Sequence, residues 1–121
     1  MRTKLWGFNP DEKLDIENFL KVKYDGIRPA PGYPSQPDHT EKTTMWDLLQ
    51  AEQLADISLN ESLAMMPAAS VSALVFAHPE ASYFAVGEVE RDQVESYAER
   101  KKQSVEFVEK WLAPSIKYET S

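Results

Sequence analysis

Gly26-Ile27-Arg28-Pro29-Ala30-Pro31-Gly32-Tyr33-Pro34-Ser35-Gln36-Pro37-Asp38-His39-Thr40-Glu41-Lys42 is the stretch on which the reading of this chain turns. It holds four of the eight prolines and two of the four glycines, so it is neither a helix interior nor a central strand. Each residue before a proline is pushed towards extended backbone. The expected form is a stiff, extended ribbon with its backbone groups left free. Such a ribbon loses little entropy when it holds a ligand. Arg28 offers a planar fork that matches a carboxylate, and Tyr33 offers a ring face and a hydroxyl.

Working outward, helical patterns flank the ribbon on both sides. Upstream, Asn9 or Asp15 is placed to cap a helix, with Pro10 suited to a first turn. Ile16, Phe19, Leu20 and Val22 form its expected buried stripe, and Gly26 ends it. Leu5, Trp6 and Phe8 cluster before it and are expected to pack on something. Downstream, Asp38 with Glu41 three residues later resembles a capping box. A helix is expected from Asp38 or Thr40 to about Ala55, burying Met45, Leu48, Leu49 and Ala55 and turning Asp47 and Gln50 to water. His39 is expected to hydrogen-bond the ribbon.

Farther on, Ser62–Met66, Val71–Ala77 and Ser82–Val86 read as three strands, the last two a hairpin about His78-Pro79-Glu80-Ala81. Two helices follow. Arg91 to about Lys102 places Val94, Tyr97 and Ala98 on one face. Ser104 caps the second, whose stripe is Val105, Val108, Trp111 and Leu112, and Pro114 stops it. The fold class expected is α+β, a small antiparallel sheet with helices packed on it. At 121 residues the chain is read as one domain, with the ribbon at residues 26–42.

Composition narrows the function. A net charge of −7 argues against a general nucleic-acid binder. The absence of cysteine removes disulfides and thiolate metal sites and fits a cytoplasmic protein. With only His39 and His78, and no HExxH or comparable spacing, no metal is assigned. There is no GxSxG, P-loop or GxGxxG, and no carboxylate pair is placed as a matched acid and base. No catalytic residue is assigned, and the residues favour a binding module over a catalytic centre.

The ribbon resembles the signature of the C-terminal activation domain of cobalamin-dependent methionine synthase. Asn60-Glu61-Ser62-Leu63-Ala64-Met65, Pro67-Ala68-Ala69-Ser70-Val71-Ser72, Tyr83-Phe84-Ala85-Val86-Gly87, Arg91-Asp92-Gln93-Val94 and Trp111-Leu112-Ala113-Pro114 resemble that family in the same order. The likeness runs from about Tyr24 to the end, and it implies that residues 1–121 are the C-terminal portion of such a domain. Ala73 stands where the family pattern has Gly.

The resemblance implies S-adenosylmethionine as ligand and a part in reductive reactivation of the synthase, when its cobalamin has become cob(II)alamin. It implies that Arg28 binds the ligand's carboxylate, that Ala30 contributes through its backbone and that Tyr33 contacts the ligand from the same ribbon. Tyr83 would lie against the adenosine, largely through its backbone. Cobalamin would be bound by another domain, and electrons would come from flavodoxin or methionine synthase reductase. Homodimerisation through an exposed sheet edge is a further expectation. The alternative is an interaction module that docks the cobalamin domain or reductase without binding S-adenosylmethionine on its own.

Overall fold

Helix signals near the C-terminus produce the core. The computed structural model describes residues 4, 11, 15–21 and 25–120. It divides into two compact units: Met1–Pro29 with Leu74–Tyr83, and Ala30–Ala73 with Phe84–Ser121. The elements in chain order are α1 (Ile16–Leu20), α2 (Glu41–Leu49), α3 (Ala51–Ala55), β1 (Ser58–Leu59), β2 (Met65–Met66), α4 (Arg91–Lys101) and α5 (Val105–Leu112). A short 3-10 turn, Ala113–Ser115, follows α5.

In the second unit α4 and α5 pack through Val94, Ala98, Val108 and Leu112, with Val89 beside them. Val94 and Val108 are wholly buried, each contributing on the order of 1.5–3 kcal/mol of apolar burial. Glu90 and Gln93 cap α4 reciprocally, the Gln93 side chain accepting from the Glu90 amide at 2.8 Å. Ser104 Oγ accepts from the Phe107 amide at 3.1 Å and starts α5. After Pro114 the chain returns along Val89, whose N–H donates to Ser115 O and whose carbonyl accepts from Lys117 N. Tyr118 packs on the core and its hydroxyl donates to the buried Glu109 at 2.8 Å. Of the expected stripes, Val94, Ala98, Val108 and Leu112 are core, Tyr97 and Val105 are partly buried against it, and Trp111 lies outside the cluster.

The helix expected to reach Ala55 breaks. Gln50 takes a left-handed conformation (φ 48°, ψ 45°) and separates α2 from α3. Leu48 and Leu49, expected inside, are exposed, at 79% and 62%; Ala55 is exposed too, and Lys42 and Ala51 are the buried residues. The apolar spacing marked a helix correctly but misjudged which face packs. β1 and β2 pair antiparallel, Ser58 with Met66 and Leu59 with Met65. The Asn60 side chain closes their loop by accepting from Ser62 N, Ser62 Oγ and Ala64 N. The sheet class is as expected, but of the run Ser62–Met66 only Met65 and Met66 pair.

The expected hairpin does not form. The turn is present, Ala81 N donating to His78 O at 3.1 Å, but neither arm is a strand among the described residues. Each arm bonds the ribbon instead. In the first unit Ile27 and Phe76 exchange both backbone bonds, at 3.0 and 2.9 Å, and Leu74 N donates to Pro29 O at 3.0 Å. In the second, Val86 N donates to Pro34 O at 2.8 Å and Ser35 Oγ to Phe84 O at 2.5 Å. Carbonyls on a proline-rich segment have no helix or sheet of their own to enter, so they compete for these donors.

In the first unit Asp15, one of the two candidate caps, accepts from Asn18 N at 2.7 Å and starts α1. The stripe expected to be core is not: Ile16, Phe19 and Leu20 are exposed in a helix of five residues. Asn9, Pro10, Leu5, Trp6, Phe8 and Val22 lie outside the described residues. No helix of the described residues is long and apolar enough to cross a membrane. The architecture is α+β, with a two-stranded antiparallel sheet and packed helices.

Candidate functional site

The ribbon is a sequence of turns rather than an extended strip. Ala30-Pro31-Gly32-Tyr33 closes with Tyr33 N donating to Ala30 O at 3.2 Å, and Gly32 has φ +93°. Proline second and a positive-φ glycine third are what a type II turn requires. Tyr33-Pro34-Ser35-Gln36 closes next, Gln36 N donating to Tyr33 O at 2.8 Å, and Gly32 N donates to Gln36 O at 2.7 Å. The backbone expected to be free is thus partly used. The Ala30 and Tyr33 carbonyls each hold a turn, and each retains a second lone pair.

The four candidate residues fall into two groups. Arg28 and Tyr83 belong to the first unit, where the Arg28 backbone N–H donates to the Tyr83 hydroxyl at 2.9 Å. That bond joins residues 55 apart in sequence. The Arg28 side chain is exposed, and no described carboxylate forms an ion pair with it. Ala30 and Tyr33 belong to the second unit and share the type II turn. The Tyr33 ring is 67% exposed. Both aromatic rings therefore present surface, and the Tyr83 hydroxyl has a structural task that sequence reasoning did not foresee.

Immediately downstream lies a buried polar cluster that the sequence reading missed. Asp38, 6% exposed, accepts from Thr40 N at 2.7 Å, Thr40 Oγ1 at 2.8 Å and Tyr97 Oη at 2.6 Å. Lys101 Nζ lies 3.1 Å from the same carboxylate and also pairs with Glu41. Asp38 was read as one half of a capping box with Glu41. The structure turns Glu41 to Lys101 instead, and Thr40 stands at the helix start without a side-chain cap. The cluster ties the end of the ribbon to α4. Burial pushes the Asp38 carboxyl up, but the bonds from Tyr97, Thr40 and Lys101 outweigh it and hold it below the ordinary range. Burial and the Asp38 carboxylate push the Tyr97 hydroxyl up to about 12. Burial alone would lower Lys101, yet Glu41 and Asp38 hold its ammonium above the usual lysine value.

The His39 ring lies against the ribbon turn at Gly32, and its hydrogen bond among the described residues is to Lys42, at the ribbon's end. The ring faces Gly32, Nδ1 is 3.1 Å from Lys42 Nζ, and Trp111 stands 6.4 Å away between ring centroids. Burial, then the Lys42 charge, lowers the imidazole below its ordinary value against the opposing pull of Asp38. No cluster of three or more His, Cys, Asp or Glu among the described residues is placed to hold a metal. An open groove of about 370 Å³ runs past Glu106, Glu109 and Tyr118 at the end of α5, and neither Ala30 nor Tyr33 lines it.

Known proteins resemble this chain over most of its length. The sequence pattern of the vitamin B12 dependent methionine synthase activation domain matches residues 1–102. A crystal structure of the MetH reactivation domain bound to AdoHcy superposes with a TM-score of 0.92 at 52% identity. The match covers 98% of this chain and 36% of that one, so this chain spans about a third of that chain's length.

Proposed function

We propose, for a chain that belongs to the vitamin B12 dependent methionine synthase activation-domain family, that it binds S-adenosylmethionine for the reductive reactivation of a cobalamin-dependent methionine synthase. The observation that carries the proposal is the exposed Arg28 guanidinium, unpaired by any described carboxylate, on a residue whose backbone is pinned by Tyr83. The AdoHcy bound by a relative of 52% identity supports the ligand class, since the two molecules differ by the sulfonium methyl.

Each candidate residue offers a group whose chemistry suits part of such a ligand. Arg28 pairs its fork with the carboxylate, an interaction a lysine ammonium does not reproduce. Tyr33 offers an exposed ring face, which favours a sulfonium cation beside it. Ala30 contributes the remaining lone pair of its carbonyl. Tyr83 packs against the adenosine while its hydroxyl holds the Arg28 amide. When bound, the ligand supplies an electrophilic methyl group. This chain's residues hold it at a fixed position and orientation, which is their whole contribution to the transfer. Cobalamin held by another domain is the proposed acceptor, and flavodoxin or methionine synthase reductase the proposed electron source.

A second reading is docking without ligand binding. The exposure of Leu48, Leu49 and Leu54 favours it, since apolar side chains left open to water are what a docking surface covers. Calorimetric titration with S-adenosylmethionine, run beside an Arg28→Ala variant of equal fold, separates the two. Saturable binding lost in the variant supports the ligand reading. A folded parent chain that gives no binding heat supports docking.

A further inference from the structure

Gly32 and His39 meet more closely than any side chain at position 32 would allow. A Cβ built on Gly32 falls 2.5 Å from His39 Nε2 and 2.8 Å from Nδ1, and closer still to Cε1. The glycine therefore does two things. It supplies the positive φ of the type II turn, and it lets the turn rest directly on the imidazole edge. The ring's orientation is fixed by Lys42, whose Nζ lies 3.1 Å from Nδ1, one of the ring atoms that face Gly32.

Lys42 is itself unusual: it is 4% exposed and forms no ion pair with any described carboxylate. Its other bond is to Leu63 O at 2.9 Å, the loop between β1 and β2. An ammonium has three donors and no acceptor, so Nδ1 must be the accepting nitrogen and the neutral ring carries its proton on Nε2. Trp111 of α5 limits the ring from another direction, at 6.4 Å between centroids and tilted by 53°.

We propose that His39 is a positioning residue for the Gly32–Tyr33 turn, acting as its seat, and that the buried Lys42 locks the ring in place. Tyr33 is then presented to the ligand at a height set by the ring at position 39. This deepens the reading of the turn as part of a ligand-holding ribbon and rests on it. The volume of the ring, rather than its charge, is what the turn needs.

The test is a double-mutant cycle on the full chain with two readouts. Parent, Gly32→Ala, His39→Ala and the double variant are unfolded in urea, and the same proteins are titrated with S-adenosylmethionine. Alanine at Gly32 alone is expected to lower the folding constant roughly 100-fold, and only about tenfold or less once His39 is alanine, because the remaining cost is the positive φ. Penalties that simply add, within about twofold, overturn the proposal. His39→Ala is expected to weaken ligand binding about tenfold, by the loosening of a preorganised contact. The pair His39→Phe with Lys42→Met keeps the volume and removes both members of the His39–Lys42 bond, leaving Leu63 O without its lysine donor, and is expected to restore most of the binding loss while lowering stability by about one hydrogen bond's worth. A loss that the pair does not restore also overturns the proposal. Should the parent bind no ligand, the urea cycle still decides whether His39 seats the turn, while the ligand reading falls.

Discussion

Replacing Asp38 by alanine removes one buried carboxylate and takes a partner from four donors, one of which, Lys101, keeps another. Thr40 N, Thr40 Oγ1 and Tyr97 Oη lose bonds of 2.7, 2.8 and 2.6 Å, and Lys101 loses its partner at 3.1 Å. Breaking a buried pair from one side costs on the order of 3–5 kcal/mol, chiefly through the groups left unpaired. Lys101 keeps Glu41 and is 17% exposed at its side chain, so water reaches it in part. The loss belongs at the lower end, about 3 kcal/mol. Against a domain stability of roughly 5–15 kcal/mol that is a large fraction. It corresponds to a fall in Tm of roughly 12 °C for a chain of this size. Urea unfolding followed by circular dichroism should show the midpoint falling with the slope unchanged. Asp38→Asn, which keeps one acceptor, should fall between parent and alanine. An alanine variant within 1 kcal/mol of the parent by the same melt (about one hydrogen bond's worth) would refute the reasoning that the cluster holds the ribbon to α4.

Ser104→Ala should cost about 1 kcal/mol through loss of the α5 cap, read as a shift in urea midpoint; no shift would mean that the Phe107 amide finds water at no cost. The pH dependence of stability follows from the same cluster. Asp38 sits below 3.8 in the fold, so the stability it contributes is complete above that pH and is lost as pH falls through its folded value. Lys101 sits above 10.5, so its contribution is complete below that pH and is lost as pH rises through its folded value. His39, held below 6.5, adds stability that is complete above 6.5 and is lost as pH falls through its folded value. Urea midpoints measured across pH should therefore decline on acidification in two stages, and Asp38→Ala should diminish the lower one, leaving the part that Glu106 contributes.

The C-terminal helices were legible because their cause is local. Ser104 caps, Val94, Ala98, Val108 and Leu112 recur at helical spacing, and Pro114 stops the run. The hairpin was misread because its partner is remote: Leu74 and Phe76 meet Pro29 and Ile27, a pairing that no short-range pattern encodes. Leu48 and Leu49 show the same limit, since periodicity gives a face but not what covers it. The ribbon was legible in its residue types but not in its turns. Ala30-Pro31-Gly32-Tyr33 carries a type II signal, proline then glycine, that an emphasis on extended backbone passed over. The Asp38–Tyr97 bond spans 59 residues and left no trace in spacing. A buried lysine without a carboxylate, Lys42, is likewise visible only once the chain is folded.

The most direct test of the ligand assignment is chemical-shift mapping of the isotopically labelled chain during titration with S-adenosylmethionine. The account predicts saturable shifts concentrated at the amides of Arg28, Ala30 and Tyr33 and at Tyr83, with the Arg28 amide, bonded to the Tyr83 hydroxyl, among the largest. Saturable shifts confined to α4, α5 or the groove beside Tyr118, with the ribbon amides unmoved, would contradict it.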